Sequence, residues 1–219
     1  YLPFGSSLIA KIVQRYMRWF HNKAVVTVVT TKTLQDELHT KGFTNVSVCP
    51  LGIDTDFFVR VPTAPLPGPV FMYQGRLAKE KNVEAFLRLD LPGTKLVIGD
   101  GPDRKRLEAA YPNALFVGYQ QGHALVEWMS TADVFVFPSR TETFGMSVVE
   151  SLACGIPVAA YNVLGPKDIV TDGVTGYLGD NLREQALKCL TLKSSDCRAA
   201  AQAYSWERSA DVFLSLIQS

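Results

Sequence analysis

Val134-Phe135-Val136-Phe137-Pro138, continuing through Ser139-Arg140-Thr141 into Glu142-Thr143-Phe144-Gly145-Met146-Ser147-Val148-Val149-Glu150, decides the fold. The first five residues are an unbroken apolar run, as found in a parallel strand covered on both faces. The later apolar residues predict a helix from Gly145 that stops at Cys154-Gly155. A buried strand that turns directly into a helix is the repeating unit of an open α/β sheet. Ligands of such sheets lie at the carboxyl edge of the strands, where helix N-terminal amides hold anions. Here two carboxylates, Glu142 and Glu150, bracket the turn. They repel phosphate, so sugar hydroxyls are their natural partners. With the helix starting near Gly145, Glu150 lies just over one turn in. The amides of Phe144, Gly145, Met146 and Ser147 then lack intrahelical partners and form an anion site.

The same alternation extends in both directions. Strands are predicted at 70–74, 95–98, 115–117, 134–138, 158–161 and 176–178, and helices at 83–89, 103–110, 124–130, 145–153 and 182–190. This pattern makes the chain an α/β protein with a Rossmann-like, doubly wound parallel sheet. Upstream, residues 5–21 carry apolar residues at helical spacing beside Lys11, Arg15 and Arg18. A β-branched strand (24–30), a helix (33–41) closed by Gly42, and a short strand at Val46–Val48 follow. Four prolines within Pro62–Pro69 mark a linker. The tail from Asp196 reads as two helices split near Tyr204-Ser205-Trp206. The expected organisation is residues 1–52 as an incomplete lobe, 53–69 as a hinge, 70–203 as the ligand-binding domain and 204–219 as a returning helix.

Bulk properties exclude several classes. A net charge of +1 gives no electrostatic basis for nucleic-acid binding. The four cysteines lack CxxC spacing and nearby histidines, which argues against zinc and fits a reducing, cytoplasmic setting. His21, His39 and His123 stand alone. Asp54-Thr55-Asp56 has the form of a divalent-cation ligand pair but sits before the linker, so it reads as a turn. Gly75-Arg76, with Lys81, follows the first strand of the large sheet and can grip a diphosphate. Gly99-Asp100-Gly101-Pro102 lacks the third glycine of a dinucleotide fingerprint and reads as turn chemistry close to a nucleotide.

Taken in order, Val46–Asp54, Gly75-Arg76-Leu77, Glu80-Lys81-Asn82, Gly99–Pro102, Phe137-Pro138-Ser139, Glu142 through Glu150, Gly155-Ile156-Pro157-Val158, Asp172-Gly173-x-x-Gly176 and Ser205-Trp206 resemble the retaining glycosyltransferases of family four. The resemblance spans essentially the whole chain. It implies the two-lobed GT-B fold, here a donor-binding lobe with a partial second lobe. It also implies transfer of a hexose from GDP-mannose or a UDP-sugar to a lipid or saccharide acceptor, without an essential metal and with no cofactor. By the resemblance, Gly75, Arg76 and Lys81 hold the diphosphate. Glu142 and the Phe144–Ser147 amides hold the sugar, Glu150 the ribose, and Phe116 and Val117 border the base. Arg76, Lys81 and Glu142 are the expected catalytic residues. The chain, which opens on Tyr1, reads as part of a longer enzyme and is expected to be inactive alone. Peripheral contact with the cytoplasmic membrane face and self-association through residues 8–20 are further expectations. Two other readings remain, a non-catalytic nucleotide-sugar sensor and an NAD-type oxidoreductase. The second leaves Glu142 and Glu150 without a role.

Overall fold

A computed structural model describes residues 8–218 of the chain. Its strands are β1 (Thr27–Val29), β2 (Val46–Val48), β3 (Val70–Gln74), β4 (Thr94–Ile98), β5 (Leu115–Gly118), β6 (Val134–Phe137), β7 (Val158–Ala160) and β8 (Gly176–Leu178). The helices are α1 (Leu8–His21), α2 (Lys32–Thr40), α3 (Val83–Leu87), α4 (Arg104–Ala110), α5 (Gly122–Ser130), α6 (Met146–Ala153), α7 (Pro166–Ile169), α8 (Leu182–Cys189), α9 (Ser194–Ala201) and α10 (Trp206–Gln218). A 3₁₀ turn, Lys79–Lys81, precedes α3 and another, Gln202–Tyr204, precedes α10.

β3 to β8 form one parallel sheet in the order β5-β4-β3-β6-β7-β8. The chain winds outward from β3 to β5, returns to lay β6 on the other side of β3, and winds away again. That reversal opens a crevice above the carboxyl ends of β3 and β6, the topological switch point of a doubly wound sheet. Alternate residues face opposite layers. Met72, Leu96, Ile98, Phe135 and Phe137 pack on Val148, Val149 and Leu152 of α6 and on Cys197 and Ala201 of α9. Phe71, Tyr73, Val97, Val134 and Val136 pack on Val83 and Phe86 of α3, Leu107 of α4 and Ala186 of α8. Both faces are covered, so the strands read as continuous apolar runs, and each fully buried large side chain stabilises the fold by about 1.5–3 kcal/mol.

The β3 and β4 edge loops are stacked backbone on backbone. The amide of Gly75 donates to the Ile98 carbonyl at 2.9 Å, and that of Leu77 to the Asp100 carbonyl at 2.9 Å. A Cβ on Gly99, whose φ is +144°, would stand 1.9 Å from the Gly75 carbonyl oxygen. This close approach is why Gly-Asp-Gly occurs here.

β1, α2 and β2 form a small parallel unit of their own. The strand predicted at 24–30 is shorter than its β-branched run, because β2 offers partners only for Thr27, Val28 and Val29. Val25 is instead 88% exposed. Of the first predicted helix, residues 5–7 lie outside the described residues. The small unit joins the large sheet near Ile53, whose amide donates to the Tyr204 carbonyl and whose carbonyl accepts from the Trp206 amide. α10 starts there, and the Cys49 thiol reaches the Ser209 carbonyl at 3.6 Å. Residues 61–69 carry no helix or strand. α7 has no apolar period in the sequence; it forms where Gly165, at φ +91°, turns the chain into Pro166 at the first helical position.

Candidate functional site

Two loops meet over the switch point. After β3 the chain carries Gly75 and Arg76 to the 3₁₀ turn that ends at Lys81; after β6 it carries Pro138 to Thr143 into α6. The Lys81 ammonium lies 2.7 Å from Glu142 Oε2, with the side chains only 28% and 17% exposed. Glu142 Oε1 accepts the Thr143 amide at 3.0 Å. Asn82, left-handed at φ +53°, donates Nδ2 to the Pro138 carbonyl at 3.0 Å. Asparagine tolerates that backbone where most residues do not. The two loops are therefore tied side chain to side chain and side chain to backbone.

α6 opens at the crevice. Gly145 precedes it at φ +104°. Among the described residues, the amides of Phe144, Gly145, Met146 and Ser147 have no hydrogen-bond partner, as expected of a helix start. Phe144 is buried edge-on to Tyr204, with ring centroids 5.9 Å apart, which fixes the loop that presents these amides. Glu150 accepts a hydrogen bond from Gln74 Nε2 at 2.9 Å. Burial raises the Glu150 pKa above its ordinary value, and the Gln74 hydrogen bond partly opposes this.

Arg76 stands apart from the Lys81–Glu142 pair. Its carbonyl accepts the Tyr73 hydroxyl at 2.8 Å, while its guanidinium is exposed and 3.9 Å from the Glu80 carboxylate. Burial, followed by the charges of Glu142 and Glu80, pushes the Tyr73 phenol above its usual range, so it stays a donor to that carbonyl. Beside it a cleft of about 500 Å³ runs along the strand ends, lined by Gln74, Gly75, Arg76, Gly99, Asp100, Gly101, Tyr119, Gln120 and Leu125.

Phe116 and Val117 do not line this cleft. They are half-buried residues of β5, Phe116 packed on one core layer and Val117 on the other. At that end the cleft is walled by Tyr119 and Gln120, past the end of the strand, and by Leu125 of α5. Interior strand residues alternate into the two layers, so the cleft is lined by the last residue of a strand, such as Gln74, and by residues beyond it. Gln74 and Asn82 also had no assigned role in the sequence reading. The visible signal for Gln74 is a polar side chain closing an apolar strand.

Asp54 Oδ1 accepts the amides of Asp56 and Phe57, so the Asp-x-Asp segment is a capped turn. Among the described residues no group of three or more His, Cys, Asp or Glu side chains is placed to hold a metal ion. Among the described residues no helix is long and apolar enough to cross a membrane. A larger cavity of about 630 Å³ lies between residues 61–66 and α5 and contains none of the predicted site residues.

Residues 54–203 match the family described as glycosyl transferases group 1. The chain is 33% identical over 185 residues to a GDP-mannose-dependent alpha-mannosyltransferase of Mycobacterium tuberculosis, covering 80% of this chain and 49% of that protein. It is 30% identical to the sulfoquinovosyl transferase of Arabidopsis thaliana, covering 81% of this chain and 39% of the plant protein. The chain thus spans about half the length, or less, of these relatives. Among solved structures, the sucrose-phosphate synthase of Thermosynechococcus elongatus superposes with a TM-score of 0.80 at 23% identity, over 97% of this chain and 63% of that one. HepE of Anabaena in complex with UDP gives 0.79 at 18% identity, over 96% and 68%. These likenesses establish the GT-B type of fold.

Proposed function

The chain belongs to the glycosyl transferases group 1, and from that premise we propose that it is the donor-binding portion of a retaining, metal-independent hexosyltransferase. The donor is a nucleotide-diphosphate sugar, GDP-mannose or a UDP-hexose, and the acceptor is a lipid or saccharide. The enzyme works in the cytoplasm, where the acceptor can bring it to the membrane face. The observation that carries this reading is the Lys81–Glu142 pair set over the switch point beside the open amides of α6. A cation, a carboxylate and a row of N–H donors converge there, as a diphosphate joined to a polyol requires.

In this reading Arg76 and Lys81 take the diphosphate, and Lys81 exchanges its Glu142 partner for phosphate oxygens. That exchange frees Glu142 Oε2 to accept a sugar hydroxyl, so phosphate and sugar are recognised by one rearrangement. Glu150 accepts from the ribose, and the cleft beside Tyr119, Gln120 and Leu125 receives the base. As the bond from sugar to phosphate breaks, negative charge grows on the leaving diphosphate. Arg76 and Lys81, once on the diphosphate, stabilise that charge, and such an electrostatic contribution lowers the barrier without proton transfer.

Calorimetry with GDP, GDP-mannose, UDP and UDP-glucose on the chain tests the reading and selects the base. Nucleotide binding tighter than about millimolar is expected, with Arg76→Ala and Lys81→Met each weakening it roughly tenfold, the scale of one charge-assisted contact. Absence of binding by all four ligands, or indifference to both substitutions, overturns the site.

A further inference from the structure

Gln74 closes β3 at the crevice, and its two amide atoms have different fates. Nε2 donates to Glu150 Oε2 at 2.9 Å. Oε1 is buried and, among the described residues, has no hydrogen-bond partner. A buried amide oxygen without a donor is costly. The alternative rotamer does not relieve this, because it would set Oε1 against the carboxylate. The orientation is therefore imposed by Glu150, and the unpaired acceptor is its consequence.

The contact also has a position. Gln74 lines the 500 Å³ cleft next to Gly75 and Arg76, while Glu150 approaches from α6 on the other side of the switch point. Gln74 thus borders the cleft and holds the Glu150 carboxylate behind it. A carboxylate held by one donor keeps lone pairs for two neighbouring hydroxyls, the pattern of a vicinal diol. It does not suit phosphate, which is the business of Arg76 and Lys81.

We propose that Gln74 is a positioning and specificity residue for the ribose diol of the nucleotide: from the edge of the cleft its Nε2 orients the Glu150 carboxylate that accepts the two hydroxyls. This rests on the donor-site reading above, and adds to it a residue that selects ribonucleotides. The Gln74 hydrogen bond favours the ionised form of Glu150 against the effect of burial. Its removal therefore moves the titration of Glu150 to higher pH, a change that loss of packing alone does not produce.

The test compares wild type with Gln74→Met, which keeps the length of the side chain and removes both polar atoms. Calorimetry measures GDP and UDP against their 2′,3′-dideoxy forms across the acid-to-neutral range. In wild type the ribonucleotides bind more tightly than the dideoxy forms, and binding falls as acid protonates Glu150. In Gln74→Met the ribonucleotide affinity drops roughly tenfold, the dideoxy affinity stays, and the acid fall moves to higher pH. A variant with an unchanged ribose preference and an unchanged acid limb overturns the role of Gln74 and leaves the donor site standing. A wild-type chain that binds no nucleotide overturns both.

Discussion

Glu150 stands where the proposed donor site needs it, and where the fold gains nothing from its charge. It is a carboxyl on the inner side of α6, with a single amide hydrogen bond to offset its burial. A group whose folded pKa is raised binds its proton more readily when folded than when unfolded. Its ionisation therefore costs stability, and the cost grows as pH rises from the ordinary carboxylate range through the raised value. Glu150→Gln removes that cost and can keep a hydrogen bond to Gln74. It is expected to raise the urea midpoint at neutral pH, to leave it nearly unchanged in acid, and to weaken ribonucleotide binding. A neutral-pH midpoint equal to or below wild type would refute this account of the site. Lys81 and Glu142 show the complementary arrangement, in which a half-buried pair satisfies itself until a ligand separates it. The sequence identified both acids, because carboxylates at a strand-to-helix turn are unusual and demand a partner. It did not identify their partners, since Gln74 and Glu150 stand 76 residues apart and only the sheet order brings them together.

At the scale of elements, the glycines at the ends of β3 and β4 are what let the two edge loops lie in contact. Gly99→Ala would place a methyl group 1.9 Å from the Gly75 carbonyl while forcing an L-residue to φ +144°. The cost is expected to be about 3 kcal/mol or more, the range for a clash combined with a disallowed backbone. Chemical denaturation reads it directly, and a loss under ~1 kcal/mol would mean the loops can part. The large sheet was legible because strands buried on both faces must be apolar throughout, and β3 and β6 are. Strand and helix ends were less legible where a neighbour sets them. β1 ends with the reach of β2, and α7 exists because Gly165 and Pro166 turn the chain beneath the Glu142 loop. Phe116 and Val117 turn into the two core layers rather than into the cleft for a related reason. Periodicity locates a strand but not the residue at which it rises out of the sheet.

At the scale of the molecule, α1 leaves Ile12, Val13, Tyr16, Trp19 and Phe20 more than half exposed, and α10 leaves Trp206 and Ile217 more than half and Phe213 and Leu214 nearly half exposed. Apolar surface of this extent seldom remains in water. The chain in isolation is expected to self-associate, and Trp19→Ser with Phe20→Ser is expected to lower its mass toward that of one chain. Light scattering at rising concentration decides the matter, and a wild-type mass of one chain throughout would refute it. The small β1–α2–β2 unit is also joined to the Glu142 side of the crevice. Asp168 of α7 accepts the Thr33 amide at the start of α2 at 2.9 Å, and the Thr30 hydroxyl reaches the Thr143 carbonyl at 3.4 Å. Gly165, just before α7, lies against the Phe144 carbonyl and the Glu142 side chain. A tilt of the small unit therefore pulls on α7 and on the Glu142 loop together, like a lever whose short arm ends at the carboxylate. By reciprocity, a donor that drew Lys81 away from Glu142, as the proposed function requires, would also reset the angle of the lever.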